Sequence, residues 1–118
     1  MEPVGLSLST ELVTGAAMVT VVGEVDLSSA ERLREELETA LHHARTVVVD
    51  VGEMSFIDSS GLNALVHAYR TAQGVESDLR IRHPTPMFLR LLEITQLETL
   101  FIIDHDGDSA GASAEPAP

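Results

Sequence analysis

The run Thr46-Val47-Val48-Val49-Asp50-Val51 constrains the fold more than any other segment of the chain. It is nearly continuous in β-branched residues, which suits a central strand covered on both faces. Helical patterns flank it. Upstream, Ala30, Leu33, Leu37 and Leu41 recur at helical spacing with Glu and Arg between them. Ser28 followed by Glu31 matches a capping box, so a helix is predicted from Ser28 to about Ala44. Downstream, Gly52 to Asp58 reads as a loop, and a second helix begins at Ser59. Leu62, Leu65, Val66, Tyr69 and Ala72 form its apolar stripe, which is a core-facing pattern, and Gln73-Gly74 supplies its end. Asn63 and His67 fall on its other faces.

The remaining segments complete an α/β pattern. Leu6, Leu8, Thr10 and Leu12 alternate with mostly polar neighbours, as in a strand with one buried face. Thr14-Gly15 reads as a turn into Ala17–Val22, giving an antiparallel hairpin. Leu79–Arg82 is a short strand. Thr85 and Pro86 mark a helix start, as N-cap and first helical residue, with Phe88, Leu91 and Leu92 on its apolar face. Leu100–Ile103 reads as a last strand. The order β-β-α-β-α-β-α-β implies right-handed crossovers and a mixed sheet: an N-terminal antiparallel hairpin, then parallel strands packed with α-helices. One domain is expected over residues 1–104. From Ser109 the chain holds only Ser, Ala, Gly, Glu and Pro, so residues 105–118 are expected to form an acidic Ala/Pro tail that cannot order itself.

Composition removes several function classes. With no cysteine, disulfides, thiolate catalysis and cysteine-ligated metals are excluded. The formal net charge is −12, and all seven basic residues are Arg. Such a chain repels phosphate backbones and anionic membrane surfaces, but a basic patch on a partner protein is steered toward it. Simple solubility also accounts for the charge. Aromatics are 3%, so the core is built from aliphatic side chains. Met1 to Thr10 lacks the basic-then-apolar pattern of a signal peptide, and no apolar run approaches the ~20 residues of a membrane span. The default location is therefore cytoplasmic.

The segment that carries chemistry is Ser55-Phe56-Ile57-Asp58-Ser59-Ser60-Gly61-Leu62, between the central strand and a helix. The first N–H groups of a helix lack intrahelical partners and create a mildly positive site. An oxygen from Asp58 or Ser59 can cap them, and a phosphate is also favoured there. A plain N-cap, worth about 1 kcal/mol, accounts for Asp58-Ser59-Ser60. Two adjacent hydroxyls and a glycine exceed what capping needs, and Gly61 is expected to ease approach by another protein.

This segment resembles the signature of STAS domains, in particular bacterial anti-sigma-factor antagonists. Gly23-Glu24-Val25-Asp26, Ser29-Ala30, Val48-Val49-Asp50-Val51, Phe56–Leu62 and Leu91–Leu97 occur in the family's order and spacing, from about Leu6 to Asp104. The family often has Gly where this chain has Gln96. The resemblance implies a non-enzymatic switch. Ser59 would be phosphorylated, and Asp26, Ser28, Asp58, Ser59, Ser60, Gly61 and Leu62 would meet the partner, an anti-sigma factor that is also a serine kinase. The unmodified form would bind that kinase and release a sigma factor, and a phosphatase would reset the cycle. STAS-like domains also serve as unphosphorylated scaffolds in signalling or membrane-transport assemblies, so that reading stays open. A monomer or a weak dimer is compatible with the sequence.

Other chemistries fit less well. Ser59 and His67 as nucleophile and base would stand eight residues apart on one helix, about 12 Å along its axis, beyond hydrogen-bond reach. His42 and His43 are adjacent, so they diverge by about 100° and suit a helix C-terminus better than a metal. Asp104-His105-Asp106-Gly107-Asp108 hints at calcium, with Glu115 at the twelfth position of such a loop, but Ser109 stands where an EF-hand needs Gly. No Gly-rich phosphate loop is present, and no cofactor is expected.

Overall fold

A computed structural model describes residues 5–104. The tail expected at 105–118 and the candidate calcium loop after Asp104 lie outside the described residues. The elements are β1 (Leu6–Val13), β2 (Ala16–Val25), α1 (Ala30–Leu41), β3 (Thr46–Ile57), α2 (Ser59–Gly74), β4 (Asp78–Arg82), α3 (Pro86–Ile94) and β5 (Ile102–Asp104). The five strands lie side by side in sequence order. β1 and β2 are antiparallel, and every later neighbour is parallel. This is the predicted α/β architecture with a mixed sheet.

The hairpin forms because Thr14 and Gly15 both take positive φ, at 39° and 82°, as a two-residue primed turn requires. Alternate residues of the strands, Ala17, Val19 and Val21 on β2 and Val47, Val49 and Val51 on β3, then face the helices. Leu33 and Leu37 of α1, Leu65 and Ala68 of α2, and Phe88 and Leu92 of α3 join them in a single core. The core is aliphatic, as expected, with Phe88 and Phe101 added. Val66 and Tyr69, expected in the stripe of α2, are half-buried at its margin.

Four expectations need correction. β3 is not covered by helices on both faces: the core takes only one set of its alternate residues. Val48, on the other face, is only 7% exposed because it lies in register between Met18 and Arg80 of the adjoining strands. The expected loop after Val51 is instead strand as far as Ile57. Two register shifts against β2, at Thr20/Val22 and Gly23/Glu24, insert extra residues into β3. Its buried residues there, Met54 and Ile57, fall three apart, which hides the period of two. The first helix starts at Ala30, not Ser28, and ends at Leu41 rather than near Ala44. The last strand is shifted to Ile102–Asp104.

Two helices are followed by a non-glycine residue in the left-handed position. After α3, Gln96 takes φ 61°, Gln96 N donates to Glu93 O at 3.0 Å and Leu97 N donates to Leu92 O at 2.8 Å. This is a Schellman end with glutamine in the left-handed position. After α2 the same position belongs to Glu76 at φ 60°, and Gly74, the expected stop, is the last helical residue. Left-handed backbone costs a non-glycine residue about 1 kcal/mol or more. Gln96→Gly is therefore expected to stabilise the fold by up to about 1 kcal/mol, raising the urea midpoint with an unchanged slope. A lowered midpoint would show that the glutamine side chain contributes more than its backbone strain.

Candidate functional site

The site is built where β2 and β3 end together. Val25 pairs with Ile57, and Asp58 N donates to Val25 O at 3.2 Å. The turn after β2 therefore lies beside the start of α2. In that turn, Asp26 O accepts from Ser29 N at 3.0 Å and Ala30 N at 2.8 Å. Asp26 Oδ1 accepts from Ser28 N at 3.0 Å and Ser28 Oγ at 2.8 Å. Ser29 is buried, and its Oγ accepts from Asp26 N at 3.0 Å while its proton faces Glu24 O at 3.1 Å and Asp26 Oδ1 at 3.2 Å. The expected capping box is absent: Ser29 is the N-cap residue and makes no side-chain cap, because the Ser28 hydroxyl bonds to the Asp26 carboxylate and the Ser29 hydroxyl to Asp26 and Glu24. Glu31 pairs with Arg34 instead.

At α2, Asp58 is the cap. Its Oδ1 accepts from Ser60 N at 2.9 Å and Gly61 N at 3.2 Å, as its extended backbone allows. Capping thus occupies the aspartate and not Ser59, the first helical residue, which is exposed. Ser60 is half-buried and lines a groove between α1 and α2 with Glu31, Arg34, Asn63 and His67. His67 is exposed two turns along the helix from Ser59, as the spacing required.

Gly61 and Leu62 point inward. Leu62 is 3% exposed and belongs to the core. A Cβ on Gly61 would stand 2.6 Å from Val25 Cγ1 and 2.7 Å from Ile57 Cγ1. Contrary to the expectation from the sequence, the glycine does not open the surface to a partner; it lets α2 sit tightly on the ends of β2 and β3. Two apolar residues that the sequence did not single out as contacts are exposed at this end: Leu27 at 81% and Phe56 at 46%. Phe56 lies next to the buried Ile57 in a bulged strand, and Leu27 sits in a turn with no helical or strand period, so neither has a periodic signature.

The Ser28 hydroxyl holds the Asp26 carboxyl below its ordinary range, against the opposing effect of desolvation, and the backbone N–H of Ser28 and the Ser29 groups add to the lowering. Among the described residues no group of three or more His, Asp or Glu side chains is placed to hold a metal. His42 Nδ1 lies 2.7 Å from Glu38 O and His43 Nδ1 2.8 Å from Thr39 O, so both histidines close the end of α1.

The family model described as Mlab, STAS domain, matches residues 8–104, and the chain belongs to the STAS domain family. It is 30% identical over 98 residues to the anti-sigma-B factor antagonist of Listeria monocytogenes, covering 81% of this chain and 86% of that one. The fold matches the crystal structure of an anti-sigma factor antagonist from Mycobacterium paratuberculosis at a TM-score of 0.79, with 23% identity over 92% of this chain and 93% of that one. It also matches the anti-sigma factor antagonist SpoIIAA in its unphosphorylated form (TM-score 0.73, 88% and 93% covered) and SpoIIAA of Bacillus in its phosphorylated form (TM-score 0.68, 88% and 96% covered), both at 20% identity. No helix among the described residues is long and apolar enough to cross a membrane.

Two outcomes follow from this geometry. Gly61→Ala is expected to destabilise the fold by about 1–3 kcal/mol through overpacking, outweighing the roughly 1 kcal/mol gain in helix propensity, and to lower the urea midpoint. An unchanged midpoint would mean that Val25 and Ile57 yield freely. Separately, Asp26 should titrate by NMR below an ordinary aspartate, and Ser28→Ala should raise its midpoint. Because the folded value is the lower one, this carboxylate contributes stability above the unfolded value, near 3.8, and loses it as pH falls through the folded value. An Asp26 midpoint indifferent to Ser28→Ala would remove the hydroxyl as the cause.

Proposed function

We propose that this protein is an anti-sigma factor antagonist whose binding is switched by phosphorylation of Ser59. The observation that carries the reading is the division of labour at α2: Asp58 caps the helix and leaves the Ser59 hydroxyl exposed at its tip. The partner is an anti-sigma factor with serine-kinase activity, met by the surface around Asp26, Ser28, Ser59 and Ser60, with Leu27 and Phe56 as apolar anchors. Gly61 and Leu62 support this surface from beneath. Binding by the unmodified form frees a sigma factor, in the cytoplasm. The names of the curated relatives support the partner class, and the phosphorylated form of SpoIIAA supports the modification.

The kinase transfers the γ-phosphoryl group of ATP to Ser59 Oγ, which loses its proton, and ADP leaves. The phosphoserine carries about −1.5 to −2 charges. The Ser60 and Gly61 amides that would receive it already bind Asp58. The phosphate therefore stands beside a carboxylate, in an interface that must be desolvated. A loss of about 3 kcal/mol weakens such a complex more than a hundredfold. A phosphatase restores the hydroxyl.

With a host anti-sigma factor kinase and ATP, tandem mass spectrometry should find one phosphoserine, at Ser59. Ser59→Ala should keep the affinity of the parent and resist modification, and Ser59→Asp should bind at least about tenfold more weakly. Equal binding by the two variants would defeat the switch and favour an unphosphorylated scaffold in a larger assembly.

A further inference from the structure

The two edges of the sheet are unequal. β5 is three residues long, whereas β1 presents eight, Leu6–Val13, with neither proline nor lysine among them. Natural edge strands are usually shortened, charged or covered, because an open ladder recruits another strand. Glu24 N donates to Gly5 O at 3.0 Å, and the antiparallel register runs from Leu6↔Gly23 to Val13↔Ala16. Odd-numbered residues of β1 therefore bond to β2, and the N–H and C=O groups of Leu6, Leu8, Thr10 and Leu12 point out of the sheet. Leu6 O is taken by Arg32 Nη1 at 3.0 Å. Among the described residues the next three outward positions have no neighbouring strand, and Leu12 is 68% exposed.

Above this edge runs a groove lined by Leu8 of β1 and by Arg32, Glu35, Glu36 and Thr39 of α1. Thr10 Oγ1 donates to Glu36 Oε2, which fixes one carboxylate over the middle of the strand. Glu35 is exposed beside it, while the one cation, Arg32, is turned to the Leu6 carbonyl. The groove is thus a strand-shaped backbone template under a negative wall. It lies on the β1 side of α1, whereas Glu31 and Arg34 line the groove beside Ser60 and Glu38 accepts from Thr71 farther along α2.

We propose that the β1 edge and the Glu35–Glu36 wall form a second docking site, which takes an extended basic segment of a partner protein by strand addition. The added strand bonds to the outward groups of Leu8, Thr10 and Leu12, and its Lys or Arg side chains, at every second position, reach Glu35 and Glu36. Charge decides against a second copy of this chain. A two-fold pairing of β1 with β1 centred on Thr10 would set the two strands about 4.8 Å apart and bring Glu36 of each copy toward the other. The site shares no residue with the Ser59 surface, so the two can be occupied together.

The test uses the full chain and a blocked eight-residue peptide alternating lysine with valine, with an alternating glutamate–valine peptide as control. The lysine peptide should bind, shift the amide resonances of Leu8, Thr10 and Leu12, and weaken as salt rises. Combined Glu35→Lys and Glu36→Lys should weaken it roughly tenfold or more. Leu12→Pro, which removes an outward N–H where a proline is tolerated, should weaken it roughly threefold or more while leaving the urea midpoint nearly unchanged. Ser59→Asp should have no effect, which separates this site from the switch. The proposal is overturned if the lysine peptide fails to bind, if the glutamate peptide binds equally, if the shifted amides lie elsewhere, or if the same amides are already protected in a dimer of the free chain.

Discussion

The parallel pairing of β2 with β3, carried as far as Val25 and Ile57, is the constraint on which the site depends. It brings two chain segments more than thirty residues apart, the Asp26 turn and the start of α2, to one end of the sheet. The two shifts in register are part of this arrangement. They let β3 absorb extra residues and still finish level with β2, so that Asp58 N can reach Val25 O. Gly61 completes the junction, since any larger side chain would meet Val25 and Ile57 before α2 reached its seat. The exposed position of Ser59 is thus a consequence of core packing directly beneath it.

Much of this was legible in the sequence because the relevant signals are local. Thr14-Gly15 specifies its turn through backbone conformation, Thr85-Pro86 specifies a helix start, and Thr85 Oγ1 accepts from Phe88 N at 3.1 Å as that motif requires. The Asp58–Leu62 stretch placed the second helix correctly. Illegible features arise between strands. Whether a bulge continues β3 past Val51 depends on the pairing with β2, and no local pattern reports it. The Ser28–Glu31 motif misleads for a related reason: a capping box needs a free hydroxyl and a free carboxylate, and here the hydroxyls of Ser28 and Ser29 are drawn to Asp26 and Glu31 to Arg34. Gly61 was read as an opening because sequence shows that a side chain is missing, not which way it would have pointed.

The non-glycine helix ends show the same limit from the other side. Gln96 and Glu76 occupy backbone conformations that favour glycine, and their own side chains give no hint of it. What holds them is the pair of backbone hydrogen bonds donated back into each helix, together with Leu97 packed against the core behind Gln96. Tertiary packing outweighs a local cost of about 1 kcal/mol, which is the usual order when a helix end is anchored on both sides.

Electrostatics ties the two ends of the argument together. A chain with twelve excess negative charges draws basic surfaces from any direction, so charge alone cannot direct a partner to one face. Direction has to come from short-range structure. In the proposed switch it would come from apolar Leu27 and Phe56 around a carboxylate and two hydroxyls, a surface whose centre a further dianion would disfavour. In the docking proposed at the β1 edge it would come from backbone groups in strand register, with side-chain charge setting which extended segment is accepted. One helix, α1, separates them: on its α2 side Arg34 bonds to both Glu31 and Glu38, while on its other side Arg32 is turned to the Leu6 carbonyl and Glu35 and Glu36 line the strand edge. The same acidic composition is thereby divided into one side tied up against α2 and one side open along the strand edge.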